Sequence, residues 1–552
     1  MTAVVEPESG EADEVDDAGT ELVAIAEPYS AAVSLRKVFS NKEGLPAEGS
    51  GLLRILQALY WPVRDPATRA VYMVRRTTHE LPAGGVLAEM ESDEFQQQVL
   101  ALYSQLTAGG VARESTLRAA MQTHAGAARL LPRPAGPRIG IADDGATWID
   151  LGRPDEQSVR VTSDGWTVEP ACGAFILRTA AIGEVPIPTR GGSLEDLWSL
   201  TSVAAIDQPL VRAWMVHSMM PPGTPCPILA LLGEHGTAKT TSAQMIGESA
   251  CDSPVRGSIP HTARDLMVTN AATWIVLLDN VSRFDNDTSD VLCRMITGDT
   301  YKARKLHSNG GYYSLRLQRP IITTAIDTGI SRSDLDDRTI TVNLLRMSPE
   351  QRRDERSVWA DYRALRPGII GALLDDLVYV LGAPRPQAVL PRMADYALTA
   401  ARLDVQEGTD SLSRWADLAL QRAAEKLASD PFWMALSSTI QATWEGSAAA
   451  LLTAVDPNGF LAARHRGQWP SSPQAMTGWI RRGSPELRAA GWSVGQVPAK
   501  VEGRASRWRL VPPADQTSLD GAVDGHPLGC RCAPCRTATH PAGCHCDGCT
   551  AF

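Results

Sequence analysis

A five-residue apolar run, Ile228-Leu229-Ala230-Leu231-Leu232, passes directly into Gly233-Glu234-His235-Gly236-Thr237-Ala238-Lys239-Thr240, and a helical pattern then occupies Thr241 to Ala250. A run this short and this continuously apolar reads as a parallel strand buried on both faces. Strand, glycine loop and helix in that order form a phosphate-binding loop. Glycines let backbone N–H groups close around a phosphate, and the helix N-terminus adds its positive end. Lys239 is expected to reach the β and γ oxygens of ATP, and Thr240 to offer its hydroxyl to Mg2+. The expected nucleotide contacts therefore run from Gly233 to Thr241. Ala238 stands where glycine usually precedes the lysine. Its Cβ is expected to be tolerated only at negative φ.

Two further apolar runs complete the pattern. Trp274-Ile275-Val276-Leu277-Leu278 ends in Asp279, an acid placed to hold the Mg2+ shell as in a Walker B strand. Asn280 follows, where a water-polarising glutamate often stands. An amide orients a water but cannot take its proton, so hydrolysis would be slow or would borrow Glu234, Asp285 or Asp287. Arg319 to Ala325 reads as a third strand, ending near Thr323-Thr324, and Asp334-Leu335-Asp336-Asp337-Arg338 comes after it.

With these residues, and with the stretches Trp148–Gly152, Asp279–Ser282 and Leu292–Asp299, the chain resembles AAA+ ATPases of the superfamily 3 helicase type, specifically the helicase or primase-associated ATPases of phages and integrated mobile elements. The likeness runs from about residue 140 to 510. It implies a homo-oligomeric ring acting on DNA, with a primase or another replication protein as a possible companion. It also implies that Thr324 is sensor 1, although asparagine is commoner there, and that Arg338 is an arginine finger reaching a neighbour's nucleotide. The plainer reading of Arg338 is an ion pair to Asp334 or Asp337.

Two basic elements are candidates for DNA contact. Tyr301 to His307 and Tyr312 to Leu317 are strand-like and flank Asn309-Gly310, a strong hairpin signal. In superfamily 3 helicases a hairpin here projects into the ring channel. Lys302, Arg304, Lys305, His307 and Arg316 suit phosphate contact and Tyr312 or Tyr313 suits stacking, while a solvated basic hairpin is the alternative. From Arg464 to Arg509 basic residues again dominate, with Arg481, Arg482, Arg504 and Arg507 among them. The order there is helix (474–481), helix (485–490), strand (492–497), turn, strand (507–511). That describes a winged helix on duplex DNA, or else a small structural cap.

The remaining segments set the domain plan. Residues 1–28 carry nine acids and no Lys or Arg, which accounts for nearly all of the net charge of −10; this head is expected to be disordered. An α+β accessory domain is expected over 29–190, the AAA+ core over 193–347, a helical lid or collar over 348–450, opened by Ser348-Pro349-Glu350-Gln351, and the winged helix over 464–511. After a 512–525 linker, residues 526–552 repeat with a period of fourteen. His526, Cys530, Cys532 and Cys535 are echoed by His540, Cys544, Cys546 and Cys549. Each copy has the four soft ligands of a structural Zn2+, and Cys532/Cys535 with Cys546/Cys549 is a second possible set. Disulfides are the less fitting alternative in a reduced compartment.

The expected architecture is thus an α/β P-loop NTPase with a parallel-sheet AAA+ core, an α+β N-terminal domain, a helical lid, a C-terminal winged helix and a Cys-rich tail. No apolar run approaches the roughly 20 residues of a membrane span, and no signal segment is evident, so the cytoplasm is the expected location. The function expected is an ATP-dependent DNA helicase or translocase. A weakly hydrolysing DNA-binding switch or loader is the first alternative, and a remodelling ATPase without DNA the second.

Overall fold

The computed structural model describes residues 47–513, except 67–68, 77–79, 133–134, 180, 253, 255, 261, 305–311, 328, 331, 349, 351, 388–389 and 498–506. The acidic head, the hairpin tip with Lys305 and His307, Arg504 and the whole Cys/His tail lie outside the described residues. The chain divides into two compact units, Met1–Leu412 and Ser413–Phe552. Among the described residues no helix is long and apolar enough to cross a membrane.

The first unit is built around a five-stranded sheet in the order Arg256–Gly257, Val276–Leu278, Ile321–Ala325, Ile228–Leu232, Thr339–Asn343, with every neighbouring pair parallel. Both central strands are buried at every residue, which is why they read as unbroken apolar or β-branched runs. The chain leaves Ile228–Leu232 toward the Arg256–Gly257 edge, but leaves its neighbour Ile321–Ala325 toward the Thr339–Asn343 edge. Right-handed crossovers put those two connections on opposite faces. A crevice therefore opens at the carboxyl ends of the two central strands, the position where open parallel sheets take ligands.

Ahead of the core, helices Glu48–Leu59, Asp93–Leu106 and Glu114–Ala125 share a core with one face of a six-stranded mixed sheet. A four-stranded antiparallel meander follows, from Ile139–Ile141 to Gly165–Glu169. Asp144 caps its first turn through Ala146 N–H at 2.9 Å, and buried Asp150 pairs with Arg178, so these acids are structural. The Pro- and Gly-rich segment after it is strapped to the long helix Glu355–Gly382. Thr189 N–H donates to Pro367 O at 3.0 Å, and a Cβ on Gly371 would lie 1.9 Å from Thr189 O.

Several local expectations are corrected. The segment from Ser193 to Met220 forms two α-helices, Glu195–Trp198 and Gln208–Ser218. The long helix opens at Glu355 instead of near Ser348, because the Asp354 carboxylate caps Ser357 N–H at 2.9 Å. In the second unit, the two helices expected at 474–481 and 485–490 are one helix, Pro473–Ala489, which runs through Pro485. Its apolar side, with Met476, Ile480 and Leu487, belongs to a continuous core with Trp433, Trp492 and Trp508, and that burial outweighs one lost backbone bond. The antiparallel sheet there has three strands, with Trp444–Ser447 joining Ser493–Val497 and Arg507–Val511. The second unit thus includes residues that the sequence placed in the lid.

Candidate functional site

The crevice at the carboxyl ends of the central strands collects the residues singled out by sequence. Lys239 is the first residue of the helix Lys239–Ser249, and its ammonium donates to Gly233 O at 2.6 Å and Glu234 O at 2.8 Å. Thr237 Oγ1 donates to Glu234 O at 3.0 Å and closes the loop from inside. The first intrahelical bond is Ser242 N–H to Ala238 O at 2.9 Å, so the N–H groups of Lys239, Thr240 and Thr241 begin the helix without intrahelical acceptors. Glu234, His235 and Gly236 are exposed on the loop's outer side.

Ala238 contradicts the expectation of negative φ. It sits in the left-handed region at φ 53° and ψ 34°, two residues after Gly236 at φ 85°. The loop must reverse there to start the helix at Lys239, and the single methyl of alanine is the smallest side chain that accepts the turn. For an L-residue this region costs roughly 1–2 kcal/mol. Ala238→Gly is therefore expected to raise stability by about 1 kcal/mol in a thermal melt without nucleotide, leaving nucleotide affinity undiminished. A destabilised variant would show that the methyl is packed rather than strained.

Across the crevice, Asp279 Oδ1 accepts from two hydroxyls, Thr240 at 2.9 Å and Thr324 at 2.6 Å. Thr324 Oγ1 in turn accepts the Asn280 N–H at 2.8 Å. One hydroxyl therefore ties the loop helix's acid partner to the strand beside it. Thr240 and Asp279 together present hard oxygen donors of the kind Mg2+ takes alongside phosphate and water. Asn280 is exposed, with φ 54°.

The three carboxylates offered as a base are not equivalent. Asp285 is the N-cap of helix Asn286–Thr297, and the backbone N–H and hydroxyl of Thr288 hold its carboxyl below the usual range. Asp287 lies in the first turn of that helix, exposed. Glu234 stays on the loop, with Arg346 at 3.8 Å in an exposed pair that contributes little. Arg338 donates to the Asp334 carboxylate and, at 3.0 Å, to Asp334 O, and lies 3.4 Å from Cys293 Sγ; its side chain is 13% exposed. Within one chain it is thus held in the ion pair that the plainer reading anticipated. Cys172, Cys226 and Cys251 are buried, whereas Cys293 is half-buried beside this arginine.

Sequence reasoning missed what holds the far end of the loop helix. Tyr362 Oη donates to Met245 O at 3.0 Å, and Arg366 donates to Glu248 O and to Asp252 O at 2.7 Å, both from the long helix. From the accessory domain, wholly buried Arg138 donates to Asp252 Oδ1 at 3.1 Å, while Asp252 Oδ2 accepts Ile275 N–H at 2.7 Å. Cations at a helix C-terminus complement its dipole. No local signal marks these residues, since their partners are more than a hundred positions away. Arg352 was missed as well: a Cβ on Gly236 would lie 3.6 Å from its guanidinium.

Of the basic DNA candidates, Lys302 and Arg304 lie on the strand Thr300–Arg304, paired antiparallel with Tyr312–Arg316. Arg481 and Arg482 are exposed on the Pro473–Ala489 helix. Arg507 and Arg509 alternate outward on their strand while Trp508 and Leu510 face in.

Residues 194–421 match the model of the actinomycete integrative conjugative element replication protein, and residues 432–518 match that of the AICE RepA C-terminal domain. No curated protein matches. Among solved structures, the apo NrS-1 C terminal region is 14% identical over 85% of this chain and 99% of that chain, with a TM-score of 0.38. JCV helicase is 14% identical over 37% of this chain and 62% of that chain, with a TM-score of 0.20. With both family models on consecutive parts of one sequence, the chain belongs to the RepA replication proteins of actinomycete integrative conjugative elements.

Proposed function

We propose that this replication protein is an AAA+ P-loop ATPase that uses Mg2+ and ATP to move along or unwind DNA as a homo-oligomeric ring. One observation carries the reading: the Lys239 loop, the Thr240 hydroxyl, Asp279 and Thr324 meet in one hydrogen-bonded group at a parallel-sheet crevice. Bound Mg2+ would neutralise phosphate charge. The Gly233–Thr241 backbone would cradle the phosphates, Lys239 would swing from its loop carbonyls to their oxygens, and Thr324 would fix Asp279 and orient the attacking water. Arg338 would leave Asp334 to reach a neighbouring subunit's nucleotide. The hairpin bearing Lys302 and Arg304 would follow a single strand, and Arg481, Arg482 and Arg507 a duplex, in a winged-helix role. The repeated His/Cys tail would bind Zn2+ and dock a partner.

ATP turnover measured with and without single-stranded DNA tests the coupling. Turnover is expected to rise several-fold with DNA. A rate indifferent to DNA, in a protein that binds it, would favour the switch or loader reading. That second reading draws on Asn280, which places no carboxylate beside Asp279, and on Asp285, which is committed to its helix cap.

A further inference from the structure

The accessory domain carries an unexplained basic surface. Strand Tyr60–Arg64 alternates: Tyr60 faces the helices, whereas Trp61 and Val63 face the opposite side of the six-stranded sheet. Two arginines arrive on that side by register. Arg129 pairs with Val63 on the edge strand, and Arg76 follows Arg75, which pairs with Tyr60. Both guanidinium groups lie on the Trp61 ring, with Cζ at 3.7 Å from its centroid for Arg76 and 4.8 Å for Arg129. Arg76 is anchored through Nη1 to Gln57 O, and Arg129 is exposed. Among the described residues neither guanidinium has a carboxylate partner in an ion pair, although other arginines of the first unit do, such as Arg75 with Glu156. Two like charges gathered on one indole at a sheet edge repel each other until an anion joins them.

We propose that Trp61, Arg76 and Arg129 form a nucleic-acid contact of the accessory domain that takes a single strand, separate from the hairpin and from the second unit. A guanidinium held over an indole can still offer a face to a base and N–H groups to phosphate; exposed Arg129 has both to offer, while Arg76, with Nη1 on Gln57 O and Nε buried, adds its charge beside it. Base faces are open in a single strand and closed in a stacked duplex, so a guanidinium that stacks on a base selects the single strand. The family's replication role supplies the occasion for such a strand. Nothing in this contact depends on nucleotide hydrolysis.

Binding of the full-length chain to a labelled oligothymidylate, across a salt series and without ATP, tests the proposal. R76Q/R129Q is expected to flatten the dependence of log K on log salt by about 1.4 units, at about 0.7 per lost phosphate contact on single strands. Affinity at 0.1 M salt should fall on the order of tenfold, with little change on a duplex of equal length. R76K/R129K keeps both charges and should retain the parent's slope, and DNA-free ATP turnover should stay at the parent's value in both pairs. Parent-like affinity and slope in the glutamine pair would overturn the contact. So would a lysine pair whose salt slope is as flat as the glutamine pair's, a loss confined to duplex, or full competition by millimolar inorganic phosphate at constant ionic strength.

Discussion

Replacing Lys239 by Ala is expected to weaken ATP binding at least about 100-fold and to abolish turnover. A charge-assisted hydrogen bond contributes roughly 1.5–3 kcal/mol, and one ammonium shared between two phosphate oxygens reaches about 3 kcal/mol, or a factor of about 100. Arg346 and Arg352 stand near the loop, but both lie on the segment after the last core strand and approach it from its outer side. They are expected to leave residual binding without rescuing turnover. Asp279→Ala should behave differently, keeping most nucleotide affinity while losing Mg2+-dependent turnover. Mixing Lys239→Ala chains with Arg338→Ala chains should restore part of the ATPase, because some interfaces would then join an intact loop to an intact arginine. Unchanged ATP affinity in Lys239→Ala would sink the phosphate-loop assignment. An absence of recovery in confirmed mixed assemblies would confine Arg338 to its pair with Asp334.

Asp252→Ala is expected to lower the stability of the first unit by about 3–5 kcal/mol, the range for breaking a buried ion pair from one side. The substitution leaves Arg138, wholly buried, without its carboxylate, and leaves Ile275 N–H without an acceptor at the start of the Asp279 strand. Adding Arg138→Met to that background should return a good part of the loss, since it takes away the stranded charge. The effect should also reach the site, because Asp252 follows the C-terminal end of the helix whose first residue is Lys239. Urea unfolding followed by tryptophan fluorescence, together with ATP affinity, provides the readout. A shift below about 1 kcal/mol would mean that water replaces the carboxylate and that the pair does not hold the helix.

How much of this was legible in advance depended on how local the cause was. The loop, its strand and its helix are consecutive in the chain, so apolar runs of five residues beside Gly233, Gly236 and Lys239 were enough to place them. Asp279 and Thr324 were legible for the same reason, each lying at the end of its own apolar run. The helix ends were read less well. Ser348 to Gln351 has a capping pattern, but Asp354 competes for the same chain and wins through Ser357 N–H. Pro485 suggested a break, but the shared core with Trp433 and Trp508 carried the helix through it. The missed residues are those whose partners are distant: Arg138, Asp252, Tyr362 and Arg366 mean little in their own neighbourhoods.

By itself, then, the sequence determined a parallel α/β core and the glycine loop that joins one of its central strands to the helix after it, because strand burial and glycine-loop geometry are written in contiguous residues. Tertiary structure alone decided that Ala238 takes the left-handed turn, that one Asp279 oxygen gathers Thr240 and Thr324, and that the loop helix is anchored from two other elements. The physical reason is the same in each case. Backbone reversal, hydroxyl-to-carboxylate distances and buried ion pairs are set by how strands and helices pack side by side, and residues separated by scores of positions carry no periodicity that announces the meeting.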